Sequence, residues 1–204
     1  VNYKGLLLSP SLEKFYVDLQ DPNYETAICV YHQRYSTNTF PTWPLAQPFR
    51  MISHNGEINT RRGNVNWMQA REAELKADFW GADIDLLKPI IQPGGSDSAE
   101  LDNAVEALVM SGRGLLHAMT MLVPPAWRND KHMSEELRAF YEYHECISEP
   151  WDGPACLVFT DGLTVGACLD RNGLRPSRYK ITDDGIISLG SEVGTVEFDD
   201  EHVI

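Results

Sequence analysis

Short stretches rich in β-branched and aromatic residues alternate with longer ones whose apolar positions recur at helical intervals, and together they divide the chain into elements. Residues 25–31 (ETAICVY) and 49–54 (FRMISH) predict two strands, separated by an irregular loop containing Pro41, Pro44 and Pro48. Val65, Met68, Ala70, Ala73 and Leu75 recur with helical spacing, so a helix is expected over about residues 65–76. Asp97-Ser98-Ala99-Glu100 has the pattern of a capping box. It opens a second helix, whose stripe Leu101, Ala104, Val105, Leu108 and Val109 ends before Gly112. Residues 115–122 and 134–144 predict further helices on either side of the break at Pro124-Pro125.

The last third changes character. Residues 156–160 and 163–169 flank Asp161-Gly162, a dipeptide that favours a tight two-residue hairpin turn. Residues 178–182 and 186–189 surround Asp183-Asp184-Gly185, a second polar turn containing glycine. The order is strand, strand, helices, then antiparallel strands. It favours an α+β fold, with helices packed on antiparallel sheets, over an alternating parallel one. No repeat, low-complexity tract or polar linker divides the chain, so residues 1–204 are expected to form a single domain.

Composition narrows the partners. The chain has 204 residues, 43% of them hydrophobic, which suits a globular core. Its formal net charge of -13 repels phosphate backbones and anionic headgroups, which argues against nucleic acid and membrane surfaces. No apolar run approaches the roughly 20 residues that span a bilayer, and the opening residues lack the layout of a signal peptide. A soluble intracellular protein is expected. Cys29, Cys146, Cys156 and Cys168 form no CxxC pair and have no histidines at metal-ligand spacing, so they read as reduced structural cysteines.

Three polar clusters lie at the ends of predicted strands or starts of helices, where sites are commonly built. His32 to Thr39 (HQRYSTNT) places Arg34 among hydroxyls. Its planar fork suits a carboxylate, although a loop arginine paired with a surface acid is an equally ordinary reading. His54-Asn55-Gly56-Glu57-Ile58 puts an Asn-Gly turn directly after a strand. It is either only a turn, or a side-chain amide and a bare backbone N–H converging on an oxyanion. His54 itself reads as a hydrogen-bonded structural histidine. Gly94-Gly95-Ser96-Asp97-Ser98 leads into a helix, and Asp97 can cap it, hold the ammonium of an amino acid, or do some of both. The inventory of a cation, an anion and two neutral donors fits an α-amino acid attacked at a side-chain carbonyl. The attacker is missing: there is no Gly-x-Ser-x-Gly elbow and no cysteine beside a credible base.

The run HQRYSTNTFPTWPLAQPFRMISHNGEINTRRGN closely resembles the amidotransferase domain of glutamate synthases. GGSDSAELDNAVEALVMSGR, the proline-tryptophan segment around Trp127, and LDRNGLRPSRY resemble the same domain in the same order. The resemblance thus covers nearly the whole chain. It implies a type-2 glutamine amidotransferase with the four-layer αββα sandwich of the N-terminal nucleophile hydrolases, incomplete here because its N-terminal part is expected to be missing. Arg34, assisted by Thr37, would bind the glutamine α-carboxylate and Asp97 the α-ammonium. The Asn55 side chain and the Gly56 N–H would form the oxyanion hole.

In this family the nucleophile is a cysteine at the mature amino terminus, whereas this sequence begins with Val1. An inactive fragment that lacks the cysteine is therefore expected. The resemblance implies no cofactor in this segment. For the full-length enzyme it implies FMN, an iron–sulfur cluster and NADPH or ferredoxin, a downstream synthase domain that aminates 2-oxoglutarate, and a small reductase subunit. The implied location is a bacterial cytoplasm or a plastid. The rival readings are another type-2 amidotransferase and a non-catalytic glutamine-binding module. The run Thr39-Phe40-Pro41-Thr42-Trp43 and the pair Gly63-Asn64 favour the glutamate synthase branch.

Overall fold

The computed structural model describes residues 1–35 and 39–204. Thr37 lies outside the described residues. The architecture mixes helices with antiparallel sheets, as expected of an α+β protein. β1 (Ile52–Gly56), β2 (Ala155–Thr160) and β3 (Val165–Leu169) form one antiparallel sheet in that order, and β4 (Arg178–Ile181) pairs with β5 (Ile187–Gly190) in a second. The helices are α1 (Leu12–Phe15), α2 (Arg61–Arg71), α3 (Asp97–Met110), α4 (Leu115–Leu122) and α5 (Glu135–Glu145).

Residues 25–31 are not a strand, and most of their side chains are exposed. β propensity produces a strand only where a second backbone takes its N–H and C=O groups. Here Thr26 turns back on itself, donating through Oγ1 to the Ile28 carbonyl. The strand expected over residues 49–54 begins later, at Ile52. The Phe49 N–H closes a tight turn onto the Ile52 carbonyl, and the buried Asp102 carboxylate takes the N–H groups of Arg50, Met51 and Ile52. Those amides are satisfied by a side chain, so the β1–β2 ladder carries on from there to Gly56.

α2 starts four residues before its apolar periodicity because polar contacts anchor its first turn. Arg61 forms an ion pair with Glu100, and Asn64, the one buried residue of this helix, donates to the Pro150 carbonyl. In α3 the stripe behaves as expected: Leu101, Ala104 and Val105 are fully buried, and Leu108 and Val109 pack against the same core. They meet Ile52, Leu157 and Phe159 of the first sheet, Leu115, Met119 and Leu122 of α4, and Trp151. Each leucine, isoleucine, valine, methionine or phenylalanine among them contributes roughly 1.5–3 kcal/mol by leaving water. The loop joining β2 to β3 spans residues 161–164 instead of the expected two, since the Asp161 carboxylate takes the N–H groups of both Leu163 and Thr164.

This core holds the C-terminal end of β1 against the N-terminus of α3. On its other side, the end of β1 lies close to the backbone that enters β2. A Cβ on Gly56 would lie 1.8 Å from the Pro154 carbonyl oxygen, and the φ of +144° there is one that residues with side chains rarely adopt.

Candidate active site

The end of β1 carries His54, Asn55 and Gly56. The ladder pairs Asn55 with Cys156 and Gly56 with Ala155. Both backbone groups of Ala155 engage Asp170: its N–H donates to Asp170 Oδ2 and its carbonyl accepts the Asp170 N–H. Gly56 and Ala155 are therefore a non-hydrogen-bonded pair. The alternation of an antiparallel ladder turns the Gly56 N–H away from β2, to the same side as the His54 N–H. That His54 N–H donates to Gln47 Oε1 at 2.7 Å. A bare glycine N–H thus sits at the outer edge of β1, next to the Asn55 amide.

Asp97 faces the stretch that leaves β1 for the turn at residues 59–60. Its Oδ2 accepts the Ile58 N–H at 2.7 Å, and its Oδ1 accepts the Ser98 N–H at 2.8 Å and the Ser98 hydroxyl at 3.2 Å. It is not the helix cap. The Ser96 hydroxyl takes that place by accepting the Ala99 N–H at 3.2 Å, and Glu100 is committed to Arg61 and does not complete a capping box. Freed from capping, the Asp97 carboxylate keeps lone-pair capacity for a cationic partner beyond the two residues it already bridges.

His54 lies behind both. Ser98 Oγ donates to Asp97 and so accepts from His54 Nε2, with which it makes a very short contact. This fixes the proton on Nε2 and leaves Nδ1 as a lone pair, buried and without a hydrogen-bond partner among the described residues. Burial drives the His54 pKa down to about 4. The charge of Asp97 opposes that shift, and His32 and Arg175 add to it. His54 is thus a neutral imidazole that orients Ser98 toward Asp97 and brings no positive charge to compete for it.

Of the five residues expected to form the site, Asn55, Gly56 and Asp97 come together at this junction. Arg34 lies exposed on its loop, with its carbonyl accepting from His32 Nδ1. Among the described residues, no hydrogen bond or ion pair joins its guanidinium to Asp97 or to the end of β1. The loop approaches through His32, whose charge acts on His54. A broad groove of about 860 Å³, lined among others by Lys4, Phe49, Arg50, Trp80 and Asp102, contains none of Arg34, Asn55, Gly56 and Asp97.

Two structural residues escaped sequence reasoning. Asn55 Nδ2 donates to Ser191 Oγ at 2.9 Å, from the stretch that follows β5. Asp170 is the hub of the RNGLRP segment. Its Oδ1 takes the N–H groups of Asn172 and Leu174, and its Oδ2 those of Ala155 and Arg175, at 3.0–3.1 Å. Burial pushes the Asp170 carboxyl up, but these backbone donors outweigh it and hold the group below the ordinary aspartate value. Only the motif could have pointed to Asp170, because an aspartate immediately after a strand and before Asn-Gly is well placed to gather loop amides.

A family model described as class-II glutamine amidotransferases matches residues 1–204. The chain is 52% identical over 202 residues to the glutamate synthase [NADPH] large chain of Bacillus subtilis, covering 99% of this chain and 13% of that one. It is 53% identical over 204 residues to the chloroplastic/mitochondrial ferredoxin-dependent glutamate synthase 1 of Arabidopsis thaliana, covering 98% and 13%. It is 49% identical over 203 residues to the glutamate synthase [NADH] of Schizosaccharomyces pombe, covering 99% and 10%. The chain thus spans about an eighth or less of the length of these relatives.

Proposed function

Because the chain belongs to the class-II glutamine amidotransferases, we propose that it is the glutamine-binding part of a glutamate synthase. In this reading it lies within a single amidotransferase domain with the layered αββα sandwich of that family. The domain hydrolyses glutamine and delivers ammonia for reductive amination of 2-oxoglutarate by a downstream region of the same polypeptide. The observation that carries this reading is the junction itself: the amide of Asn55 and the bare N–H of Gly56 end β1, and an acid with a free lone pair, Asp97 at the start of α3, binds the Ile58 N–H two residues on. A glutamine seated there presents its α-ammonium to Asp97 and its side-chain carbonyl to Asn55 Nδ2 and the Gly56 N–H. Arg34, with Thr37, takes the α-carboxylate.

The chemistry needs a thiolate at the glutamine side-chain carbon. The chain's own cysteines are unsuited to that role. Cys156 is buried in β2, burial raises the Cys168 thiol to about 12, and Cys29 and Cys146 are exposed, with the Cys146 thiol donating to the Glu142 carbonyl. The nucleophile in this reading is an amino-terminal cysteine outside these residues, whose own amine accepts the thiol proton. Attack forms a tetrahedral intermediate whose oxygen carries the charge that the Asn55 and Gly56 donors meet. Collapse expels ammonia and leaves a glutamyl thioester, which water hydrolyses to glutamate.

The described cysteines do not offer an iron–sulfur cluster a shared set of ligands. Cys156 and Cys168 lie on adjacent strands but project to opposite faces, since Cys168 pairs with Leu157 and not with Cys156. FMN, the cluster, the NADPH or ferredoxin donor and any small reductase subunit are assigned to other regions or partners.

The test is steady-state glutamate release by the full-length polypeptide that carries this segment. Asn55→Ala is expected to lower kcat by roughly 10²-fold with a smaller change in KM, because its donor acts as charge develops. Asp97→Ala should mainly raise KM for glutamine. If Asn55→Ala raised KM alone, the oxyanion role would be wrong.

A further inference from the structure

We propose that Ser191 is a positioning residue for the Asn55 amide, and that residues 191–195 strap the end of β1 to the loop bearing Arg34. This inference rests on the reading of Asn55 as an oxyanion donor. The Asn55 main chain is held by the ladder to Cys156, but a ladder leaves the side-chain torsions free, so the direction of the amide must be set by another contact. That contact is Ser191 Oγ, which accepts from Asn55 Nδ2 at 2.9 Å across 136 positions of sequence. One amide N–H is thereby fixed, and the second is left to point at a ligand.

The strap is tied at its other end. The Tyr31 hydroxyl donates to the Thr195 carbonyl at 3.3 Å, and Tyr31 lies three residues before Arg34. Between the two ties the chain doubles back through Gly194, whose φ is +80°. Thr195 returns so close to β5 that a Cβ on Gly190 would stand 3.4 Å from its Oγ1. Among the described residues the β4–β5 sheet makes no ladder with β1, and this strap links the second sheet to the site. It contacts both elements that the proposed function assigns to glutamine, the strand end that meets the reacting carbonyl and the stretch that leads to the carboxylate-binding arginine.

A neutral hydrogen bond is worth about 0.5–1.5 kcal/mol, which corresponds to about two- to tenfold in rate. In the full-length polypeptide, Ser191→Ala is expected to lower kcat for glutamate release two- to tenfold with KM changed less than twofold. Ser191→Thr, which keeps the hydroxyl, should retain at least half of the parental kcat. In an Asn55→Ala background, adding Ser191→Ala should cost less than twofold, because the group it positions is already gone. A kcat loss below twofold for Ser191→Ala would overturn the proposal. So would the same loss in both backgrounds, which is what a variant that merely unfolds would show. If Asn55→Ala itself left kcat unchanged, the oxyanion reading would fall. A slow Asn55→Ala beside a fully active Ser191→Ala would remove only the role of Ser191.

Discussion

Asp170→Asn changes one atom of a buried hub and keeps its volume, so its consequence follows from counting donors. The carboxylate accepts four backbone N–H groups, two on each oxygen. An asparagine offers one carbonyl oxygen. Whichever way the amide turns, two backbone donors are left facing an NH₂ group. An unsatisfied buried donor costs about 1–3 kcal/mol, and the surviving bonds lose their charge assistance, so local opening should become easier by about 3–5 kcal/mol. Hydrogen exchange read by mass spectrometry on the full-length polypeptide isolates this segment without requiring global two-state unfolding. Peptides covering residues 153–176 should exchange about 10²- to 5 × 10³-fold faster in the variant, while those from α3 stay unchanged. The pH dependence has a definite sign. A carboxyl held below its ordinary value stabilises the fold above the unfolded aspartate pKa, and loses that contribution as pH falls through its own lower value. Once corrected for intrinsic exchange, wild-type protection should hold at pH 5 and decline only below about pH 4, and Asp170→Asn should lack that decline. Exchange within threefold of wild type at pH 7 would refute the hub.

Gly56→Ala drives a Cβ into the Pro154 carbonyl and retains a positive φ. It should cost about 3 kcal/mol or more, measured as faster exchange across residues 154–157 together with loss of glutaminase activity. His54 is held neutral by a folded pKa of about 4, below its unfolded value near 6.5. The unfolded chain therefore binds the extra proton first, and stability should fall as pH drops from about 6.5 toward 4. His54→Gln should flatten that slope in thermal unfolding. NMR of imidazole-labelled protein at pH 7 should show the Nε2–H tautomer, and a charged ring there would contradict the relay to Ser98 and Asp97.

Patterns settled by local chemistry were legible in the sequence, and contacts between distant segments were not. The α3 stripe from Leu101 to Val109 was readable because its helical period depends only on which face is buried. A glycine at 56 was readable because its φ of +144° answers a backbone demand, but the expected Asn-Gly turn is not formed: Asn55 and Gly56 are the last two residues of β1, in ladder register with Cys156 and Ala155. Asp97 was expected to cap α3, but Ser96 one residue earlier does so. An acid and a serine compete for the same local role, and the winner is set by the Ile58 N–H, 39 positions away in sequence, that claims Asp97. Residues 25–31 carry strand chemistry without a ladder partner, and propensity says nothing about partners. α2 was misplaced at its start because Arg61 and Asn64 anchor it through polar contacts that leave no periodicity. Ser191 gave no local signal at all, since its link to Asn55 exists only once the two sheets are in place.

The central claim is that Asn55, Gly56 and Asp97 hold one glutamine between them. A crystal structure of the full-length polypeptide soaked with L-glutamine, its nucleophile replaced so that turnover stops, tests this most directly. The account predicts the α-nitrogen within about 2.7–3.2 Å of an Asp97 carboxylate oxygen, and the side-chain carbonyl oxygen at similar distances from Asn55 Nδ2 and Gly56 N. Glutamine bound instead in the groove beside Phe49 and Trp80, or with its ammonium remote from Asp97, would contradict it.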